Sequence, residues 1–286
     1  MELLYSLLTK FIIYSIFILS LNNFIIGKTG YWAIGHLGLF AAGALITGIM
    51  TIVWKLSGYF IYTTFVFSIF GALILSLIPA IGLIRLRGDF FIFISLAFVE
   101  TIRVIIEIIA GPSGFSDIPR PPGLTTDLSF MLFCLSIFII AVLYVLSLQT
   151  HPLHNISVLV RLSEPSAQSF GINTYKIRVG FFTIGGILAS LSGCLFAFYS
   201  NGTDPQRLNL NEAVTLFALT ILGGIDSVRG SVLAAAFYVL IIFFLESFLR
   251  GPLGVYAPKI TSLIFGLILI FAINFLPKGI MGNRSL

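Results

Sequence analysis

The sequence predicts an all-α fold, a polytopic transmembrane helical bundle of about eight membrane segments including interrupted helices. Three observations carry this. Of the 286 residues, 58% are hydrophobic and only 9% charged, with mean hydropathy +1.09, where a soluble chain carries roughly 25% charged residues. Apolar runs of around 20 residues, enough to cross a hydrocarbon core about 30 Å thick, recur along the chain. The runs are continuously apolar, which excludes a β-barrel, whose strands alternate with period two.

The segments lie near residues 4 to 26, 31 to 54, 59 to 84, 90 to 110, 128 to 148 and 179 to 200, followed by a composite region from 212 to 249 and a last span near 258 to 276. The first, opening MELLYSLLTKFIIYSIFILS, lacks a basic start and a small-residue cleavage site, and reads as a retained span. The second, GYWAIGHLGLFAAGALITGIM (30–50), combines span length with His36 and many small residues. Gly38 and Ala42, and Ala44 and Gly48, sit four apart, a spacing that lets a neighbouring helix approach closely. Gly30, Gly35 and Gly38 also predict an interrupted helix whose freed backbone groups line a cavity at membrane depth.

The composite region 212–249 would extend about 57 Å as one helix, too long for a single straight span. A break is expected at GGIDSVRG (223–230), leaving a short helix before it and a full one after. Interrupted segments in both halves of a chain point to a translocation pathway. Gly35, His36, Gly223 and Gly224 are the candidates to line it.

The run DFFIFISLAFVETIRVIIEIIA (89–110) places Glu100, Arg103 and Glu107 near one helical face, where they can pair locally. An unpaired charge facing lipid costs about 2.5–3.5 kcal/mol on insertion scales, so this face must meet protein or water. Structural pairing and a place for Glu100 on the substrate path are both open.

The net charge of +5 is spread between apolar runs and forms no dense tract for nucleic acid. The basic residues read as topology signals. Loop 149–178, with Arg161, Lys176 and Arg178, and loop 85–89, with Arg85 and Arg87, are expected in the cytoplasm. Loops 110–127 and 201–212, and the N-terminus, are then expected outside. Arg250, Lys259, Lys278 and Arg284 do not decide the side of the C-terminus by count; a cytoplasmic one is favoured.

The whole chain, 1–286, reads as one membrane domain, since its longest polar segment is about 30 residues, below the size that folds alone. No G-x-x-x-x-G-K-[ST] phosphate loop is present, so uphill transport would need another chain's nucleotide hydrolysis or an ion gradient. Cys134 and Cys194 fall inside predicted helices as small buried hydrophobes. His151 and His154 flank Pro152 with no third ligand near, which favours a solvated loop over a metal site. No nucleophile and base can be placed together, so neither intrinsic catalysis nor a bound cofactor is expected. RLSEPSAQSFGIN (161–173) suits a helix and turn presented to a soluble partner, although a solvated connector would look similar.

Together these stretches resemble the permease subunits of bacterial ABC importers for branched-chain amino acids, a group that includes urea and short-chain amide permeases. The resemblance rests on GKTGYWAIGHLGLFAAGAL, LRGDFFIFISLAFVETIRVI with the following GPSGFSDIPRP, SEPSAQSFGIN and ILGGIDSVRGSVLAAAF, in that order from about residue 20 to residue 240. It implies an importer of two permease chains, here a related pair, two cytoplasmic ATPase subunits that use ATP, and an external binding protein, set in the bacterial inner membrane lipid. It also implies that loop 161–173, with Arg161, is the coupling element to the ATPase. There Glu164 takes the acidic position of the family motif, Ala167 an alanine position and Gly171 the glycine. Ser166 replaces a second alanine and Pro165 an aliphatic residue, a departure expected to reshape the start of the coupling helix. YWA (31–33) replaces the family's polar Gln-Leu-Ser before Gly-His, which leaves the substrate open.

Overall fold

A computed structural model describes residues 2–85, 89–253, 257–275 and 279–281. Of the expected topology signals, Arg87, Lys278 and Arg284 lie outside the described residues, as do the side chains of Arg85, Arg250 and Lys259.

The chain is helical almost throughout. Helix α1 comprises Glu2–Leu19 and the wider π-type turns Ser20–Thr29 that continue it to a left-handed Gly30. A 3-10 turn, Ile34–His36, leads into α2 (Leu37–Gly48), which is extended by Ile49–Val53. After a second 3-10 turn, Gly58–Tyr62, come α3 (Thr63–Arg85) and α4 (Asp89–Ala110). Then follow strand β1 (Phe115–Ser116), α5 (Asp127–Thr150), α6 (Pro152–Leu162), α7 (Glu164–Ser169) and α8 (Thr174–Tyr199). Strand β2 (Gly202–Thr203), α9 (Leu210–Gly223), α10 (Val228–Leu253) and α11 (Ala257–Phe275) complete the fold.

Among the described residues, six helices are long and apolar enough to cross a membrane: 2–29, 34–53, 58–82, 127–150, 174–199 and 228–249. Length and apolarity alone therefore count six rather than the expected eight. Helix α4 is set apart by its three internal charges, while α9 and the 260–271 part of α11 are shorter apolar helices.

The core is a sandwich of α2 and α8, with α3 and α1 against α8, α4 against α2, and α5 and α10 against α1. Small residues permit it. A Cβ on Gly193 would stand 1.8 Å from the Phe40 carbonyl oxygen, and one on Gly43 would stand 1.9 Å from that of Ser190. The two backbones touch, which is how helices gain dispersion energy where lipid offers no hydrophobic drive. Ser68 on α3 adds a buried hydroxyl pair with Ser190 at 2.8 Å. Outward, Phe70, Ile74, Ile140, Phe244 and Phe248 are exposed, whereas Ser15, Ser20, Asn22, Asn23 and Thr220 are buried. Apolar outside and polar within is the arrangement a bilayer demands.

The bundle has two ends. At one, β1 pairs antiparallel with β2, Phe115 opposite Thr203, and Arg120 binds Asp127 at 2.7 Å. At the other lie α6 and α7. Helix α9 begins at an Asn209 cap beside the β pair and ends at Gly224, where Asn22 of α1 binds it. The break expected at 223–230 is therefore present, between Gly223 and Val228. The N–H groups of Ile280 and Met281 donate to the carbonyls of Leu222 and Gly223 at 2.7 and 3.2 Å. This sets residues 280 and 281 at the α6 end, the same side as loop 149–178.

The first interruption falls at Gly30, as expected, but does not extend to Gly38. Gly30 takes φ +75° and residues 30–33 are non-helical, but Gly35 sits in the 3-10 turn and Gly38 lies inside α2. Gly38 faces Phe98 and Val99 of α4, so it serves helix contact and does not interrupt the helix.

Gly193→Leu should cost at least the 1–3 kcal/mol typical of an overpacked core, because the opposing atom is backbone and cannot turn away. Thermal unfolding of the purified chain in detergent checks this, with Gly180→Ala, where a Cβ meets open space, expected to melt like the wild type.

Candidate functional site

The two broken segments meet at the α6 end. Lys28, in the last turn of the first span, has no solvent exposure. Its ammonium donates to both carboxylate oxygens of Asp226 at 2.8 Å and to Nδ1 of His154 at 2.7 Å. Asp226 lies in the second break at φ +62°, a left-handed conformation that Asp tolerates better than most residues. Gly224, at φ +102°, supplies a turn no side chain would allow. Asn22 joins the same two segments: its amide donates to the Gly224 carbonyl and to Ser231 Oγ, both at 2.9 Å, and its oxygen accepts from the Asp226 N–H at 3.0 Å. The break between α9 and α10 is thus closed by side chains of α1. The Gly224 carbonyl and the Asp226 N–H are thereby satisfied although no helix continues through them.

Helix α6 enters this cluster through His154. The histidine segment expected as a solvated loop is helical. His151 is the N-cap, its Nδ1 accepting from the Leu153 N–H at 3.2 Å, and Pro152 occupies the first turn, where its missing N–H costs nothing. This turns His154 inward. Burial and the neighbouring Lys28 charge hold the His154 imidazole below its ordinary range, which keeps Nδ1 free to accept.

A second linkage runs from α7. Ser163 caps the helix, and Pro165 sits in its first turn, so α7 forms despite the proline. Glu164 pairs with Arg178 of α8 at 3.0 Å and accepts from the Thr174 hydroxyl at 3.1 Å. Arg178 in turn lies over the Tyr31 ring, 4.9 Å from its centroid, and bonds the Val160 carbonyl at 3.4 Å. Tyr31 belongs to the first break. Ala167 is fully buried under α7, and Gly171 ends the motif at φ +74°. Arg161 stacks its chain over Gly30: a Cβ there would meet Arg161 Cγ at 2.9 Å. At the tip, Phe170 is 76% and Leu162 63% exposed, two large apolar side chains beyond the end of the spans.

The other candidates lie deeper. His36 is buried, with Nε2 3.1 Å from Ser20 Oγ, its ring stacked on Phe17 and edge-on to Phe182. Gly35 donates its N–H to Ser95 Oγ at 3.1 Å, and a Cβ would fall 1.5 Å from the Ser95 carbonyl oxygen. Both residues hold α1, α2 and α4 together inside the chain. Gly223 faces Gly230 across the second break, where a Cβ would stand 2.4 Å from the Gly230 carbonyl oxygen. Glu100 accepts from Arg103 Nε at 2.9 Å, and Arg103 also reaches Glu107. The side chains of Glu100, Arg103 and Glu107 are 38%, 23% and 32% exposed, so the triad opens on the outer surface of the bundle.

The sequence reading brought Gly223, Gly224, Arg161 and Glu164 into this region. It missed Asn22, Lys28, His154, Arg178 and Asp226. A signal existed for two of them: Lys28 and Asp226 are opposite charges, each next to a glycine break at a membrane edge.

Comparison with known proteins now bears on this arrangement. Residues 3–273 match the family described as branched-chain amino acid transport system / permease component. The chain belongs to that family. It is 25% identical over 248 residues, 76% of this chain and 58% of the relative, to the high-affinity branched-chain amino acid transport system permease protein LivM of Escherichia coli K12. With LivM of Salmonella typhimurium LT2 the identity is 26% over 262 residues, 81% of this chain and 61% of the relative. The chain thus spans about three fifths of the length of these curated relatives. A solved structure, PsaBC from Streptococcus pneumoniae in complex with Fab, has the same fold at TM-score 0.54 and 16% identity, covering 96% of this chain and 94% of that one. The family, the apolar helices and the polytopic bundle agree: this is a multi-pass membrane protein of that family.

Two outcomes test the cluster. Lys28→Met or Asp226→Asn alone leaves a buried charge without its partner and should destabilise by about 3–5 kcal/mol, whereas the double variant should recover most of the loss in thermal unfolding. Because folding lowers the His154 pKa, the unfolded chain binds more protons below the ordinary imidazole range, so stability is full above about pH 6.5 and falls as pH drops. Melting at pH 5 should therefore occur below melting at pH 7.5, and His154→Gln should flatten that dependence.

Proposed function

We propose that this chain is the membrane-spanning permease subunit of an ATP-driven importer in the bacterial cytoplasmic membrane. It would form the translocation path for branched-chain or related amino acids. ATP is used by separate ATPase subunits, substrate arrives from an external binding protein, and a second, related permease chain completes the path. Family membership and the names of the relatives support the substrate class.

The observation that carries the reading is mechanical. The α6–α7 element is tied to the first break by Arg178 and Tyr31, and to both breaks by His154, Lys28 and Asp226. A partner that moves α6 and α7 therefore moves both interruptions together. Arg161, Glu164, Ala167 and Gly171 shape this coupling element, and exposed Phe170 and Leu162 supply apolar contacts for a soluble subunit. ATP binding shifts the equilibrium only through different affinities of the ATPase for two permease states. The triad on α4 lines the aqueous path at the junction with the second permease, since a lipid-facing triad would carry a desolvation cost.

Gly171→Trp and Phe170→Asp should each abolish uptake by the assembled transporter and loosen ATPase copurification while leaving membrane insertion intact. Uptake at the wild-type rate in either variant, measured in whole cells with radiolabelled amino acid, overturns the assignment of this loop.

A further inference from the structure

A cavity of about 670 Å³ opens at the α6 end, lined by Leu146 and Gln149 of α5, His154, Val158 and Arg161 of α6, the turn 225–229 and Met281. It shares His154 and Asp226 with the Lys28 cluster. The Asp226 carboxylate, the only acidic group on its wall among the described residues, is already bound to Lys28. That leaves the guanidinium groups of Arg161 and Arg229 uncompensated, and neither has an ion-pair partner among the described residues. The N-terminus of α10, a helix of 26 residues, ends at the same wall, and its dipole adds positive potential.

Depth and neighbours narrow what would bind. Leu146 and Gln149 stand in the last two turns of the span 127–150, and Val228 and Arg229 in the first turn of the span 228–249. The cavity therefore sits at the edge of the hydrocarbon, where lipid headgroups lie. Toward the membrane interior, α5 presents Leu143, Tyr144 and Leu146 as exposed apolar side chains. A small anion would use the arginines but not this apolar flank; an amphiphile uses both.

From this cavity we infer a binding site for the phosphate headgroup of an anionic phospholipid, with Arg161 and Arg229 taking the phosphate oxygens and the acyl chains running along α5. Bidentate guanidinium contacts suit a phosphodiester, and basic pockets at the cytoplasmic membrane edge favour anionic headgroups. The site needs only the membrane placement of the chain, and it shares Arg161 with the proposed coupling element.

Native mass spectrometry of the purified chain after exchange into phosphatidylcholine alone, or into phosphatidylcholine with phosphatidylglycerol, tests it. The wild type should retain phosphatidylglycerol over phosphatidylcholine by about tenfold, equivalent to roughly 1.4 kcal/mol. The preference should disappear in the Arg161→Gln, Arg229→Gln double variant and weaken in Arg229→Gln, a change at an exposed side chain that leaves the core untouched. Arg207→Gln, at the opposite end and 71% exposed, should keep it. Equal retention of the two lipids by the wild type, or an unchanged preference in the double variant, overturns the proposal. So does displacement of the lipid by millimolar inorganic phosphate, which reassigns the site to a free anion. A copurifying protein lost in the double variant, without lipid preference in the wild type, overturns it in favour of a protein contact.

Discussion

The structure depends on a charge that has no access to water. Lys28 closes the first span with its ammonium buried, and an unpaired ammonium there would cost several kcal/mol. Asp226, 198 residues further on, supplies the counter-charge at 2.8 Å. It can do so only because the chain leaves helical geometry at Gly224 and adopts a left-handed turn. The break between α9 and α10 is therefore the condition under which the end of α1 can be buried. Asn22 fixes the result by taking up carbonyl and N–H groups that a continuous helix would have paired internally. The ion pair and Asn22 together hold the two interruptions against each other.

The remainder of the bundle is built to resist deformation. Contact between α2 and α8 is backbone to backbone at Gly43 and Gly193, and Gly35 presses equally closely on Ser95 of α4. Such surfaces have no side chains that could rotate to absorb a shift, so they move as a block. The polar clusters differ. Their bonds run between groups able to exchange partners, and His154 can switch from acceptor to donor by taking up a proton. A motion imposed at α6 and α7 is therefore concentrated at the breaks, because the packed core cannot accommodate it. The bundle is thus divided between rigid packing and exchangeable polar contacts.

Much of this was legible in the sequence. Span length fixes the class, and the region 212–249 is too long for one crossing, so its break had to fall where glycines cluster. The SEPSAQSFGIN stretch folds as expected because Ser163 caps a short helix and Gly171 ends it. Other features were hidden. Gly38 reads equally well as a helix breaker and as a contact residue, and only the position of Phe98 decides. His151 and His154 looked like loop residues because Pro152 suggests a turn, yet proline also starts helices. The pairing of Lys28 with Asp226 is a long-range contact between two breaks, and no local pattern encodes such a distance. Arg178, read only as a topology charge, proves to be the link between α7 and Tyr31.

The α4 triad carries the last step. Glu100, Arg103 and Glu107 satisfy one another but sum to a negative charge, and their side chains remain about a quarter to two fifths exposed. Internal pairing reduces the cost of placing such a face in hydrocarbon but does not remove it, because the surplus carboxylate stays without a counter-charge among the residues beside it. The neighbouring apolar faces of α3 and α5 present Phe70, Ile74 and Ile140 to the surroundings without this penalty. The exposed surface is thus of two kinds: most of it is suited to lipid, and the α4 strip is suited to water or protein. A charged strip of this kind on an otherwise apolar exterior calls for water or a protein neighbour over α4.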